Sequence, residues 1–150
     1  MGAPDPERLG SSPLFGAIPT PQLELFAANA GQLSIAAGDA VFKEGDPADA
    51  LYVVEQGRLG VFKATADGGE KELALLGTDD FFGEMGIIDM QPRAATVRAL
   101  EPAAVWRWDH AALRQVQQDS LKAYTLLIMN IARELSRRLR RADRMIIAGE

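Results

Sequence analysis

The chain has 150 residues, a hydrophobic content of 47% and a formal net charge of -5, which fits one globular domain with its own core. It has no cysteine and a single histidine, His110, which excludes disulfides, thiolate catalysis and cysteine-type zinc sites and leaves no paired imidazoles for a metal. No apolar run reaches membrane-spanning length, and the amino terminus has no signal-peptide core. We therefore expect a cytoplasmic protein that is not an enzyme, has no membrane contact and needs no metal or cofactor.

The amino terminus is expected to contribute little to the fold. Residues 1–12 are rich in proline, glycine and serine and predict a flexible tail, which leaves residues 13–150 as the domain. Thr20 is predicted to cap a short amphipathic helix that begins at Pro21. The apolar face of this helix comprises Leu23, Phe26 and Ala27.

The middle of the chain has the pattern of a β domain. From about residue 33 to about residue 108, short apolar runs alternate with turn residues, which predicts strands joined by turns. The segment "ADGG", residues 66–69, is typical of a hairpin loop because Gly68 and Gly69 take positive φ at little steric cost. Several short strands at this spacing predict a β-sandwich or a barrel-like roll.

Residues 109–148 are predicted to form two helices, capped by Asp109 and Ser120. In the second, long helix, apolar residues recur at alternating steps of three and four residues, which is a heptad pattern. We interpret this pattern as the seam of a parallel homodimer. The seam positions are Leu121, Tyr124, Ile128, Ile131, Leu135, Arg138, Ala142 and Met145.

The charges are unevenly placed along the chain. Residues 1–120 hold 9 basic and 18 acidic groups, whereas residues 121–150 hold 7 basic and 3 acidic groups. A basic helix end fits contact with nucleic acid or anionic lipid, but it is also what a solvated helix face looks like. The absence of aromatic residues among the arginines favours the solvated face. These arginines are Arg133, Arg137, Arg138, Arg140, Arg141 and Arg144.

The stretch "FFGEMGIIDMQPRAATVRA", residues 81–99, combines burial with two opposite charges. Phe82 is predicted to end a strand, Gly83 allows a close backbone approach, and a short helical piece follows whose start suits a phosphate. Glu84 repels a phosphate but can accept a hydrogen bond from a sugar hydroxyl. The stretch therefore has one group suited to a sugar and a backbone suited to a phosphate.

Across a proline turn, Arg93 completes this pattern. Pro92 limits the backbone freedom before Arg93, whose guanidinium fork matches two phosphate oxygens. Ala94 and Ala95 are small and leave their backbone N–H groups accessible. The set fits a compact sugar phosphate, although Glu84 and Arg93 also have the chemistry of a structural ion pair.

This stretch resembles the phosphate-binding cassette of cyclic nucleotide-binding domains, whose pattern is Phe-Gly-Glu, a few apolar residues, a variable turn and Pro-Arg-Ala-Ala. The similarity extends over about residues 14–145 and includes the preceding segment "EGDPADALYVVEQGRLGVFK". The cassette positions that match are Phe82, Gly83, Glu84, Met85, Ile87, Ile88, Pro92, Arg93, Ala94, Ala95 and Thr96.

The resemblance implies a mostly β fold with flanking α-helices: a β-roll with an N-terminal helix and a long C-terminal helix. It also implies that Glu84 accepts from the ribose 2'-hydroxyl and that Arg93 pairs with the cyclic phosphate. The backbone at Gly83, Met85 and Ala94 would complete the cradle. The ligand-binding residues expected from the resemblance are Phe82, Gly83, Glu84, Met85, Gly86, Arg93, Ala94 and Ala95, with Leu73 as a candidate for the apolar wall.

The identity of the ligand follows in part from Ala94. Members of the family that favour cyclic GMP often carry threonine at this position, so the resemblance favours cyclic AMP over cyclic GMP. Hydroxyl residues that hold the adenine in some bacterial activators are absent from the matching helix positions, where Arg138 and Leu139 stand. We hypothesise that Arg138 stacks on the base or hydrogen-bonds to it.

The predicted function is a stand-alone sensor that couples cyclic nucleotide binding to movement of its C-terminal helices and signals to an unknown protein effector. The chain ends soon after the long helix, so we expect no helix-turn-helix module. Two alternatives remain. One is a DNA-associated regulator that uses the arginine-rich helix, and the other is a dimerisation module that no longer binds nucleotide.

Overall fold

Eight antiparallel strands form the centre of the molecule. The structure is a computed structural model that describes residues 2–148. The strands are β1 (Gly31–Ile35), β2 (Ala40–Phe42), β3 (Ala50–Gln56), β4 (Leu59–Ala64), β5 (Glu70–Leu76), β6 (Phe81–Phe82), β7 (Thr96–Ala99) and β8 (Ala103–Asp109). One sheet has the order β1-β8-β3-β6 and the other has the order β2-β7-β4-β5.

Helices flank the sheets at both ends of the chain. They are α1 (Pro6–Leu9), a 3-10 helix (Pro13–Phe15), α2 (Thr20–Ala28), α3 (Glu84–Asp89), α4 (His110–Asp119) and α5 (Leu121–Ile147). The predicted fold, mostly β with flanking helices and a long C-terminal helix, is confirmed. Between residues 2 and 148, no helix combines the length and the apolar character that crossing a bilayer requires.

Strand β3 separates two apolar cores. Because side chains alternate along a strand, Leu51 and Val53 pack against the helices while Tyr52 and Val54 pack between the two sheets. All four are at most 3% exposed. Strand β3 also pairs with β6, the strand that leads directly into the predicted binding stretch. The start of that stretch is therefore attached to the most buried strand of the fold.

The prediction of a flexible tail over residues 1–12 is wrong from Asp5 onward. Asp5 caps α1 by accepting a hydrogen bond from the N–H of Glu7, and Leu9 is only 2% exposed. Arg8 forms an ion pair with Asp79 and donates to the carbonyl of Glu55 at 3.0 Å. Composition missed this segment because one buried leucine and one long-range arginine contact, not local apolar density, hold it in place.

The predicted start of α2 is off by one residue. The helix begins at Thr20 with Pro19 at the N-cap, and no side chain caps it, so Thr20 is not the cap. The predicted apolar face is confirmed, since Leu23, Phe26 and Ala27 are all buried. The hairpin between β4 and β5 is also confirmed, and Gly68 has the expected positive φ, at 88°.

The two predicted caps of the C-terminal helices are confirmed. The Asp109 carboxylate accepts from the N–H of Ala112 at 2.8 Å, and the Ser120 hydroxyl accepts from the N–H of Ala123 at 3.0 Å. The first half of α5 packs on the domain through buried residues such as Leu127. From residue 136 to residue 148 every side chain is exposed. About half of α5 therefore projects from the β-roll.

The residues assigned to the seam of α5 need correction. Ile131 is 0% exposed and belongs to the core of its own domain, and Arg138 bonds to Glu84 of the same chain. A heptad stripe that is exposed at all but two positions remains, displaced around the helix; its Ile128 and Leu135 are half-buried against the core. We call it the α5 stripe; it comprises Leu121, Thr125, Ile128, Ala132, Leu135, Leu139, Ala142 and Ile146. Sequence periodicity alone did not distinguish the face taken by the domain from the face left open.

Candidate functional site

Arg93 lies at the base of a cavity and is held by backbone carbonyls. Its Nη1 donates to the carbonyl of Gly83 at 2.9 Å and its Nη2 donates to the carbonyl of Ala50 at 2.6 Å. Its guanidinium carbon lies 4.0 Å from the centre of the Phe42 ring. The arginine is 5% exposed, so its direction is set before any ligand arrives.

The charge of Arg93 is only partly compensated. Its Nε atom is buried and has no hydrogen-bond partner among residues 2–148. The nearest carboxylate, Asp49, stands 3.5 Å from Nη2 and its side chain is 59% exposed. Burial lowers the pKa of Arg93, against the opposing effects of Tyr52, Asp49 and Glu84. A buried cation with a free N–H favours an incoming anion.

Gly83 is required by the close approach of Arg93. Its φ is +84°, a left-handed conformation that residues with a Cβ adopt at a cost. A Cβ there would lie 2.9 Å from Nη1 of Arg93 and 3.1 Å from the carbonyl oxygen of Ala50. The glycine therefore allows both the turn into α3 and the contact between the backbone and the guanidinium.

Glu84, the first residue of α3, is 3% exposed and pairs with α5 rather than with Arg93. Its Oε1 atom accepts a hydrogen bond from Nη1 of Arg138 at 2.5 Å. Arg138 also contacts Glu134 at 3.4 Å through its Nε atom. Among the described residues, Glu84 and Arg93 do not form the direct ion pair that their charges also allowed. Each instead has separate partners, Arg138 for Glu84 and the carbonyls of Gly83 and Ala50 for Arg93.

The cavity has a volume of about 630 Å³ and is bounded on one side by α5. Apolar side chains from β4, β5 and β7 of the second sheet form its wall, including Val61, Ala74, Leu75 and Val97. Arg138 lines this cavity together with the eight cassette residues expected to bind the ligand; they are Phe82, Gly83, Glu84, Met85, Gly86, Arg93, Ala94 and Ala95.

Leu73 does not line the cavity and is 51% exposed. The pairing of β4 with β5 shifts between Val61 and Phe62, so that Val61 faces Ala74 and Phe62 faces Glu72. The wall that Leu73 was expected to provide is formed by Ala74, Leu75 and Leu76. A register shift of this kind has no signature within β5 itself.

Two cavity residues on α5 were missed. Glu134 and Arg141 line the cavity together with Arg138, and the Glu134 carboxylate lies 3.5 Å from Nη2 of Arg141. The spacing of four and then three residues places these side chains on one face of α5. Since Arg138 was already a candidate site residue, this spacing was the sequence signal that could have identified Glu134 and Arg141. The expected contact of Arg138 with a base stays a prediction, since its guanidinium bonds to Glu84.

A second, smaller polar depression lies at the far end of the second sheet and includes Lys43, Glu70 and Arg98. Arg98 is paired with Glu70 at 2.6 Å and lies 4.0 Å from the centre of the Phe62 ring. Its charge is thus already matched. Among residues 2–148, no cluster of three or more histidine or carboxylate side chains is placed to hold a metal ion.

Comparison with known proteins places this geometry in context. The family model described as "Cyclic nucleotide-binding domain" matches residues 32–120, more than half of the chain. The chain is 34% identical over 135 residues to the cyclic AMP receptor protein of Thermus thermophilus, covering 88% of this chain and 59% of that protein. It is also 34% identical over 106 residues to a CRP-like cAMP-activated global transcriptional regulator of Mycobacterium tuberculosis, covering 71% and 46%. The chain thus spans roughly half the length of these relatives.

Solved structures are similar over most of the chain. The crystal structure of the Thermus thermophilus catabolite activator protein matches with a TM-score of 0.81 and 30% identity, covering 91% of this chain and 62% of that one. The regulatory domain of Toxoplasma gondii PKA, crystallised with cAMP, matches with a TM-score of 0.68 and 28% identity, covering 74% and 42%.

Proposed function

The chain belongs to the cyclic nucleotide-binding domain family, and we propose that it is a sensor of cyclic AMP whose activity is binding without chemical conversion. The similarity to a cyclic AMP receptor protein, a transcriptional regulator and a kinase regulatory domain supports a regulatory role. The observation that carries the proposal is the buried guanidinium of Arg93, which lines a preformed cavity and whose Nε has no hydrogen-bond partner within residues 2–148. A cyclic phosphate supplies an anion for this partly compensated cation.

The ribose is assigned to Glu84. Its carboxylate is a buried acceptor that the cassette contributes to the cavity. A carboxylate accepts a hydrogen bond from a sugar hydroxyl but does not attract a phosphate. One of its oxygens already accepts from Arg138. The ribose 2'-hydroxyl must therefore use the remaining acceptor capacity of Glu84 or displace Arg138. The second outcome breaks a contact of α5, and the first makes Glu84 an acceptor shared by the ligand and α5.

The base is assigned to the wall formed by Val61, Ala74, Leu75 and Val97. An apolar wall accepts a purine face without choosing between purines. Ala94 offers no hydroxyl to the guanine amino group, and this absence supports adenine over guanine. Cyclic AMP is therefore the proposed ligand, with cyclic GMP as the weaker one.

The response is assigned to α5. Through the hydrogen bond between Glu84 and Arg138, the candidate ligand-binding stretch contacts the part of α5 that projects from the β-roll. We propose that ligand binding shifts the population of α5 positions through this contact. The open α5 stripe, in which Leu139 is 64% and Ile146 73% exposed, supports a parallel homodimer as the species that responds.

The test is calorimetric titration with cyclic AMP and separately with cyclic GMP, on the unmodified protein and on Arg93→Ala. We expect saturable binding of cyclic AMP, which Arg93→Ala weakens by at least about tenfold, equivalent to about 1.4 kcal/mol. The matched control is Arg98→Ala, which removes an arginine already paired with Glu70 and should leave the affinity unchanged. No binding of either nucleotide would overturn the proposal and favour a dimerisation module.

A further inference from the structure

The distal part of α5 carries a row of arginines that the proposed function does not use. We call it the cationic row: Arg133, Arg137, Arg140 and Arg144, at steps of four, three and four residues. These steps place all four on one face of the helix. Eleven residues separate the ends of the row, so it is about 16 Å long at 1.5 Å per residue.

The cationic row faces away from the α5 stripe. Each arginine stands two residues before a stripe residue, and two residues are about 200° apart around a helix. If the stripe is covered by a second copy, the row therefore stays open to solvent. All four arginines are exposed in the single chain. Dimer formation and use of the row are then compatible.

The charges of the row are poorly matched within the chain. Arg137 contacts Glu134 at 3.4 Å, and Arg133 donates to the side-chain oxygen of Asn130. Between residues 2 and 148, Arg140 and Arg144 have no carboxylate partner for their side chains. Placing unmatched guanidinium groups in a line is costly through mutual repulsion unless an anionic partner is available.

We propose that the cationic row docks an acidic α-helix of a partner protein. A helix with carboxylates at the same steps of four and three residues would present them at matching heights along its axis, as in the flanking ion pairs of paired helices. Guanidinium groups pair with carboxylates through two parallel hydrogen bonds, which adds geometric specificity. The row thus has the spacing and the chemistry of a helix-binding surface.

A second copy of this chain does not provide such a helix. The carboxylates of the described helices are Glu7, Glu24, Glu84, Asp89, Asp119, Glu134 and Asp143, and no two on the same helix are three or four residues apart. Duplex DNA is disfavoured because residues 1–120 carry twice as many acidic as basic groups, and these repel a long polyanion. Since neither the described helices nor duplex DNA fits the row, we assign the complementary helix to another protein.

The test uses the full chain and three fluorescent probes measured by anisotropy. The first is a helical peptide of about 16 residues with four glutamates at steps of four, three and four. The second is a peptide of the same composition with the glutamates placed around the helix, and the third is a short DNA duplex. We expect the first peptide to bind most tightly, and its binding to weaken as salt rises from about 50 mM to about 200 mM.

The charge-reversal variant is Arg140→Glu/Arg144→Glu, and its matched control is Arg58→Glu/Arg114→Glu, which makes the same charge change at exposed arginines outside the row. We expect the first variant to lose at least about tenfold in peptide affinity and the control to lose little. Equal losses in both variants, equal binding of the two peptides, or tighter binding of DNA than of peptide would each overturn the proposal. Cyclic AMP titration of the same variants reports separately on the nucleotide site.

Discussion

Arg138 of α5 donates a hydrogen bond to Glu84 of α3 over a separation of 54 residues in sequence. The carboxylate is nearly inaccessible, whereas the side chain of Arg138 is 42% exposed. The pair thus connects a buried acceptor in the candidate ligand site to a helix that projects from the domain. Four predictions follow from this and neighbouring contacts.

Arg138→Ala should release the distal part of α5. Beyond residue 135 the side chains of α5 are exposed, so the contact with Glu84 is a principal restraint on its position. We expect faster amide hydrogen exchange over residues 136–148 than in the unmodified protein. Arg137→Ala is the control, because Arg137 contacts only Glu134 on the same helix. Equal exchange in the two variants would contradict a restraining role for the Glu84 contact.

Gly83→Ala should impair both stability and nucleotide binding. The added Cβ would lie 2.9 Å from Arg93 and would also occupy a left-handed conformation. We expect a loss of about 1–3 kcal/mol in the free energy of unfolding, measured with urea, and loss of cyclic AMP binding by calorimetry.

The control for Gly83→Ala is Gly38→Ala, since Gly38 has φ of +89° and nothing within 4 Å of an added Cβ. It carries the backbone strain without the clash, so the difference between the variants measures the cost of crowding Arg93. If Gly38→Ala lowers nucleotide affinity as much as Gly83→Ala does, the close approach to Arg93 is not the cause.

Substitutions of Ile131 and Leu139 should affect different properties, stability and dimer formation, although both are apolar residues of α5. Ile131→Ala should lower the free energy of unfolding by about 2–5 kcal/mol because it empties a fully buried position. Leu139→Glu, at a position 64% exposed, should leave the folded chain intact but shift the protein toward monomer.

Urea unfolding measures the first effect and sedimentation velocity the second. If the dimer persists in Leu139→Glu but dissociates in Ile131→Ala, the interface lies on the face predicted from the heptad pattern, which contains Ile131. An unchanged dimer in both variants would exclude α5 as the interface.

Acid should weaken the contact of Glu44 with β4. The hydrogen bond from the N–H of Ala64 lowers the pKa of Glu44 below its ordinary value of 4.5, and Lys63 adds to this effect. Because the folded-state pKa is the lower one, the stabilisation is fully present above the unfolded pKa. It is lost as pH falls through the folded pKa.

Glu44→Gln should therefore reduce the acid dependence of the free energy of unfolding, measured by urea titration from about pH 6 to about pH 3. Glu72→Gln is the control, because Glu72 is exposed on β5. Identical pH dependence in Glu44→Gln and the unmodified protein would show that this carboxylate does not contribute to the acid dependence of the free energy of unfolding.

The elements that were predicted well are those determined by neighbours in sequence. Asp109 and Ser120 cap helices by contacts within three residues, and the hairpin around Gly68 needs only its own backbone. The cassette from Phe82 to Ala95 was likewise recognised from a contiguous pattern, and the eight of its residues that were expected to bind the ligand line one cavity.

The predictions that were wrong depend on contacts between distant segments. The amino terminus is ordered by Arg8 reaching Asp79, and Leu73 is excluded from the cavity by a shift in pairing with another strand. The heptad of α5 fits two adjacent faces nearly equally well, and the domain buries one of them through Ile131.

By itself, the sequence determined the class of the fold and most of the caps and turns, because these follow from short-range periodicity and backbone preference, and its contiguous cassette pattern determined which residues are candidates for a cyclic nucleotide site. Only the tertiary structure decided that Glu84 pairs with Arg138 and not with Arg93, and that the Nε of Arg93 is left without a partner. The physical reason is that charge pairing and burial depend on distances across the folded chain, and residues 54 positions apart come within hydrogen-bond distance only when both cores have packed.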